Sequence, residues 1–98
     1  MNRFSLSHAA NLDLVEIVYY IFERNPAAAA KFHDRLHSKF AMLSRQPLIG
    51  EECSKLGSEM RCFPEGNYII FYIPTDDGIK IMRILHGWRN ITQIFEGK

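Results

Sequence analysis

The sequence predicts an α+β fold in which a two-helix antiparallel hairpin lies over a three-stranded antiparallel meander. Three observations predict it. Two long segments carry apolar residues at helical spacing and are parted by Asn25-Pro26. The stretch from Met60 to Arg89 reads as three strands and two turns. A short alternating segment, in which Phe4 and Leu6 interleave with Arg3, Ser5 and Ser7, supplies one more strand ahead of the helices.

Ser7 can cap the first helix, since its hydroxyl can accept a bond from a free amide. That helix is expected from about His8 to Arg24. Leu14, Ile17, Val18 and Ile21 form its apolar side, with Ala10 one turn earlier, and Asp13 and Glu16 sit on the polar side where the helix dipole favours anions. Tyr19, Tyr20 and Phe22 make its second half apolar nearly all round, which suits packing on more than one side. Pro26 fits a first helical turn and Asn25 its cap. The second helix then runs from Ala27 to about Arg45, with Ala28, Phe32, Leu36, Phe40 and Leu43 as one stripe. Pro47 and Gly50 end the helical region. Glu51 to Glu59 is a polar connector without a clear period.

In the meander, Pro64-Glu65-Gly66-Asn67 is a turn segment with residues that tolerate positive φ. Tyr68 to Ile73 is an apolar run of strand length, rich in β-branched and aromatic residues. Thr75-Asp76-Asp77-Gly78 is a second turn, and Ile79 to His86 a third strand that Gly87 stops. One face of this meander is expected to be buried. Trp88 to Phe95 suits a short C-terminal helix, with Ile91, Ile94 and Phe95 on one side.

The bulk numbers narrow the function classes. With 98 residues the chain is expected to form one domain over residues 1–98. No apolar run approaches the roughly 20 residues that span a bilayer, and the start does not resemble a signal peptide, so a cytoplasmic address is expected. Two cysteines, Cys53 and Cys62, make no disulfide framework and are expected as thiols. The net charge of +1 comes from 12 basic and 11 acidic residues, and neither half of the chain is a polycation, unlike proteins that neutralise many phosphates.

His33 and His37 stand four apart, like the histidines of helical zinc sites. Asp34 occupies the position of the usual glutamate, and no third ligand is evident, so no metal is expected. Cleavage of RNA through its 2′-hydroxyl needs a base, an acid and cations for the phosphorane, without metal. Arg61, Arg83 and Arg89 could supply the cations and His86 the acid or base, with Glu51, Glu52 or Glu59 as a carboxylate base. Arg83 and His86 also have structural readings. Arg83 shares strand parity with Ile79, Ile81 and Leu85, so it must find a carboxylate, such as Glu16 or Glu23, or several carbonyls, or a bulge must turn it outward. His86 can close the end of its strand. Tyr19, Tyr20 and Phe22, with Trp88 and the closing segment, either complete the core or mark a surface for a partner.

The ordered set Arg61, Phe63, Pro64, Gly66, Asn67, Tyr68, Ile70, Tyr72, then Gly78, then Ile81, Arg83, Ile84, Leu85, His86, Gly87 and Arg89 resembles the ParE branch of the RelE/ParE toxins of type II toxin–antitoxin pairs. Ser7, Ala10, Asp13, Leu14, Ile17, Asn25, Pro26, Ala28, Ala29, Pro47 and Gly50 agree in the front half. The resemblance implies a toxin that inhibits DNA gyrase by binding, with no catalytic residues and no cofactor. It implies a cognate antitoxin as partner in a hetero-oligomer, folding over Tyr19, Tyr20 and Phe22, with operator DNA reached only through the antitoxin. It makes Arg83, His86, Trp88, Arg89 and Phe95 the target-binding patch. The alternative is a RelE-like ribosome-dependent mRNA endoribonuclease using Arg61, Arg83, His86 and Arg89. Near-neutral charge and Phe95, where many of those enzymes carry a tyrosine, favour the first. Asn90 departs from the acidic residue expected after His86-Gly87-Trp88-Arg89.

Overall fold

A computed structural model describes residues 3–53, 57 and 59–87. Strand β1 (Arg3–Leu6) leads into helix α1 (His8–Arg24) and helix α2 (Pro26–Arg45). Strands β2 (Glu51–Glu52), β3 (Arg61–Glu65), β4 (Tyr68–Thr75) and β5 (Gly78–His86) follow. They form a five-stranded sheet in the order β1-β5-β4-β3-β2. The meander β3-β4-β5 is antiparallel throughout, as its turns require, while β1 joins β5 in parallel with Phe4 opposite Ile79.

The caps form where the sequence puts them. The Ser7 Oγ accepts the Ala10 N–H at 3.0 Å and donates to the Met82 carbonyl at 2.9 Å, tying the start of α1 to β5. The Asn25 Oδ1 accepts the Ala28 N–H at 3.1 Å, and Pro26 takes the first helical position. The two helices cover one face of the sheet. Phe32, Leu36, Phe40 and Leu43 from α2 meet Ala10 and Leu14 from α1 and Ile70, Tyr72, Ile79, Ile81 and Ile84 from the sheet.

Three details differ from the sequence expectation. The opposite face of the sheet is not a solvent face. Met60, Cys62, Ile69 and Phe71 are buried there as a second, smaller cluster. The unbroken run Ile69-Ile70-Phe71-Tyr72 is the reason, since a strand buried on both sides has no need to alternate. Next, Pro64 and Glu65 belong to β3 rather than to the turn, which shrinks to Gly66-Asn67 between Glu65 and Tyr68. Pro64 lies where β2 no longer covers β3, so its missing N–H removes no ladder bond. Finally, the start of the polar connector pairs. Glu51 lies opposite Cys62 and Glu52 opposite Arg61, which adds a fifth strand.

Buried hydrogen bonds fix that added edge. The Tyr72 hydroxyl donates to the Pro47 carbonyl at 2.8 Å and accepts the Gly50 N–H at 2.9 Å. Burial raises the Tyr72 pKa, so the phenol keeps its proton at neutral pH. A Cβ on Gly50 would run into the Tyr72 ring, hence glycine. Glu65, at the end of β3, receives Arg35 at 2.7 Å and Lys39 at 3.4 Å from α2. The expected C-terminal helix, Trp88 to Phe95, lies outside the described residues.

Candidate functional site

Two hollows lie on either side of α1. The first opens between α1 and the distal half of β5, holds about 500 Å³, and begins with a change in the ladder. β1 ends at Leu6, opposite Ile81, so the N–H groups of β5 beyond that point lose their strand partner. Asp13 replaces it. Its carboxylate accepts the Ile84 N–H at 3.0 Å, while Arg83 donates Nε to one oxygen at 2.7 Å and Nη2 to the other at 3.0 Å. One acidic side chain thus continues a sheet edge and holds a guanidinium by both arms.

The backbone arranges this through a bulge. Phe71 faces Arg83 and Tyr72 faces Ile81, so Met82 is the extra residue on β5. Both sequence expectations for Arg83 are therefore met in part, with a different acid. Asp13 stands three residues after Ala10 and four before Ile17, on the sheet-facing side of α1, not on its polar side. Glu16 lines the same hollow and adds charge near Arg83 without bonding it. The bond to Asp13 raises the Arg83 pKa above its ordinary value, against the opposing effect of burial.

His86 joins Arg83 in this hollow. It is exposed, with the Tyr68 ring edge-on at 5.1 Å, and Tyr20 and Leu85 complete the wall. Burial and the neighbouring Tyr20 raise the Tyr68 pKa. Arg61 is not brought here. Its guanidinium donates to the carbonyls of Leu48 at 3.2 Å and Gly50 at 2.7 Å and meets Glu52 at 3.5 Å, holding β2 and the preceding turn in place. Trp88, Arg89 and Phe95 lie outside the described residues.

The second hollow, also about 500 Å³, lies on the outer side of the helical hairpin, lined by Leu14, Val15, Val18, Tyr19 and Phe22 with His33 and His37. Tyr19, Tyr20 and Phe22 do not complete the core. They are 62%, 55% and 53% exposed, and Leu12 and Val15 extend the apolar surface at 52% and 62%. The Tyr20 ring carries the Arg24 guanidinium at 3.8 Å. Reading the sequence for core residues misses Leu12 and Val15 as part of this stripe. Their spacing of three, four and three through Tyr19 to Phe22 was the available sign. Asp13 escapes the sequence reading because, with Glu16, an acid near the start of a helix reads as dipole chemistry.

His33 and His37 stack at 4.3 Å between ring centres, and His37 is wedged against Phe4 and Phe40. Burial, and then the proximity of His33, lower the His37 pKa, with Asp34 acting the other way. Among the described residues, no three His, Cys, Asp or Glu side chains gather to hold a metal ion, and no helix is long and apolar enough to cross a membrane.

Comparison with known proteins gives this geometry a context. Residues 4–91 match the family model described as ParE toxin of type II toxin–antitoxin system, parDE. A solved structure titled as the chromosomal ParDE toxin–antitoxin system from P. aeruginosa contains a similar chain. The two superpose with a TM-score of 0.74 at 16% identity, covering 90% of this chain and 98% of that one, a likeness of fold. No curated protein sequence matches. The match runs from within β1 through β5, and the chain belongs to the ParE family, the toxins of type II toxin–antitoxin pairs.

Proposed function

We propose that this protein acts by binding DNA gyrase and is neutralised by a cognate antitoxin that covers the outer face of the helical hairpin. The exposed stripe Leu12, Val15, Tyr19 and Phe22, with Tyr20 beside it, carries the second half of that reading. A contiguous apolar strip left exposed on a helix whose other apolar side already packs on the core is what an amphipathic segment of a partner covers, and a segment that folds as it binds can follow its length. Family membership and the paired arginines support the first half. Arg61 bonds carbonyls and Glu52, and Arg83 is bonded to Asp13, so neither guanidinium is poised to hold a phosphorane. This weighs against the ribonuclease alternative. In the binding reading, Arg83 and His86 contribute to the target surface together with Trp88, Arg89 and Phe95. The complex with the antitoxin is a hetero-oligomer that reaches operator DNA through the antitoxin, and its setting is the cytoplasm.

The test is gyrase supercoiling with purified protein. Supercoiling should fall as toxin is added and recover when the cognate antitoxin is present. Full supercoiling at micromolar toxin, with codon-specific cuts on translating ribosomes that disappear in His86→Ala, would replace this reading by the nuclease.

A further inference from the structure

The apolar groove on the outer side of the hairpin has two imidazoles in its wall. The hollow against Val15 and Tyr19 is lined by His33 and His37. A smaller hollow of about 320 Å³ continues past His33 over Pro26, Ala29 and Ala30. Val18, Phe22 and His33 belong to both hollows, so a segment laid along the groove crosses the imidazole pair.

The two rings stand in different surroundings. His33 is exposed, and its Nδ1 is 3.4 Å from an Asp34 carboxylate oxygen, which can answer a positive charge. His37 is half-buried. Its ring stacks on His33 with centres 4.3 Å apart and is set against the Phe4 and Phe40 rings at 5.8 and 5.7 Å. From α1 come Asn11, Leu14, Val15, Val18, Tyr19 and Phe22, none of them a carboxylate or a cation. β1 presents the Phe4 ring, and α2 presents Phe40 and, beyond His33, Asp34. Among the described residues, the charged groups that act on His37 are Asp34 and a protonated His33.

We infer that His33 and His37 make this face pH-sensitive: the antitoxin segment docks over the neutral pair, and proton uptake, chiefly by His37, weakens its hold. The inference rests on the reading above, in which the antitoxin covers the outer side of the hairpin. A segment lying in the groove takes the His37 ring out of water and sets apolar groups against it. A charge there loses its hydration and gains no anion in return. Two imidazolium rings stacked this closely also repel each other. Burial and His33 already hold the His37 pKa below its ordinary value in the free toxin, and covering the ring lowers it further. The complex therefore carries fewer protons than its free parts. Affinity is full while free His37 is neutral, falls as pH drops through the free pKa, and levels once the covered ring is protonated too.

The test measures the Kd of the purified cognate antitoxin by titration calorimetry at about pH 7.5 and about pH 5.5, with circular dichroism confirming that the toxin is folded at both. One linked proton changes Kd by at most about tenfold per pH unit. The lowered His37 pKa leaves the upper part of this interval flat, so the expected weakening is about three- to tenfold. The same ratio is taken for the double variant His33→Gln/His37→Gln, which subtracts any titration of the antitoxin itself. It should be at least about threefold smaller than the wild-type ratio. In the wild type, the His37 Cε1 proton followed by NMR should titrate at lower pH in the complex than in the free toxin. Equal Kd ratios for wild type and double variant would overturn the inference, as would an NMR midpoint that stays the same or rises on binding. Phe22→Asp separates this failure from that of the underlying reading. If Phe22→Asp still binds at pH 7.5, the antitoxin lies elsewhere and both fall. If it does not bind, and the Kd ratios are nevertheless equal, the face belongs to the antitoxin and the pH dependence alone is wrong.

Discussion

Replacing Asp13 with alanine removes three hydrogen bonds at once. Two are charge-assisted bonds from Arg83, at 2.7 and 3.0 Å, and one is from the Ile84 N–H, at 3.0 Å. Removing one partner of a fully buried ion pair costs about 3–5 kcal/mol. Arg83 keeps 28% of its side-chain exposure and can swing towards water, which lowers that figure, whereas the Asp13 side chain is only 12% exposed. The Ile84 N–H has no such escape, and leaving it unpaired costs about 1–3 kcal/mol. The sum is about 3 kcal/mol for Asp13→Ala. It is about half that for Asp13→Asn, which keeps one oxygen as acceptor but loses the charge. For a domain near 98 residues, 3 kcal/mol corresponds to a fall in Tm of about 12–20 °C. Urea unfolding followed by circular dichroism measures the change directly. A double-mutant cycle with Arg83→Met isolates the pair and should show a coupling of about 1–2 kcal/mol. If Asp13→Ala shifts stability by less than about 0.5 kcal/mol, or if the coupling is zero, the claim that this carboxylate completes the sheet edge is wrong.

Tyr72→Phe should cost about 1–3 kcal/mol in urea unfolding, because the buried Gly50 N–H and the Pro47 carbonyl lose their partner; a change within error would remove the anchoring role. Gly78→Ala should prevent β1 from docking, since a Cβ there runs into the Arg3 carbonyl, and faster proton exchange at the Ser7 amide, which bonds the Ile81 carbonyl, would report it. Stability should also fall as pH drops through 6.5. The lowered His37 pKa means that the unfolded chain takes up a proton before the folded one does, so the loss begins near 6.5 and levels once the folded protein is also protonated. Tm against pH for wild type and His37→Gln tests this, with the variant flatter. Phe22→Asp, on a ring 53% exposed, should leave Tm within about 2 °C yet abolish capture by the antitoxin in a pull-down. Retained capture would move the antitoxin to another face.

The sequence carried the helices, their caps and the meander because each is a local decision. Ser7, Asn25-Pro26 and the 3.6-residue stripe through Phe32 and Leu43 need no knowledge of the rest of the chain. Features set by distant neighbours were harder to read. The parallel seat of β1 on β5 depends on where the chain returns, and the burial of Phe71 depends on what lies behind the sheet. The Glu51–Glu52 strand has no apolar period, because its position follows from the hold of Arg61 and Tyr72 on the residues before it. The same division applies to the site. Arg83 and His86 were legible as a nearby pair, and they do share one hollow. Asp13 was legible only as an acid on a helix, since its role depends on a gap left by a strand that is adjacent in space but not in sequence.

The opening strand has no partner in its own part of the chain. Ser7 reaches Met82 across 75 positions, and β5 comes after every other described strand in the chain. A nascent polypeptide must hold Arg3–Leu6 unpaired until that strand has left the exit tunnel. The helical hairpin, built from contacts close in sequence, can assemble well before then. Its α1 wall stands ready, but the opposite wall arrives only with β5, so the Arg83–His86 surface exists only once translation of the sheet is over.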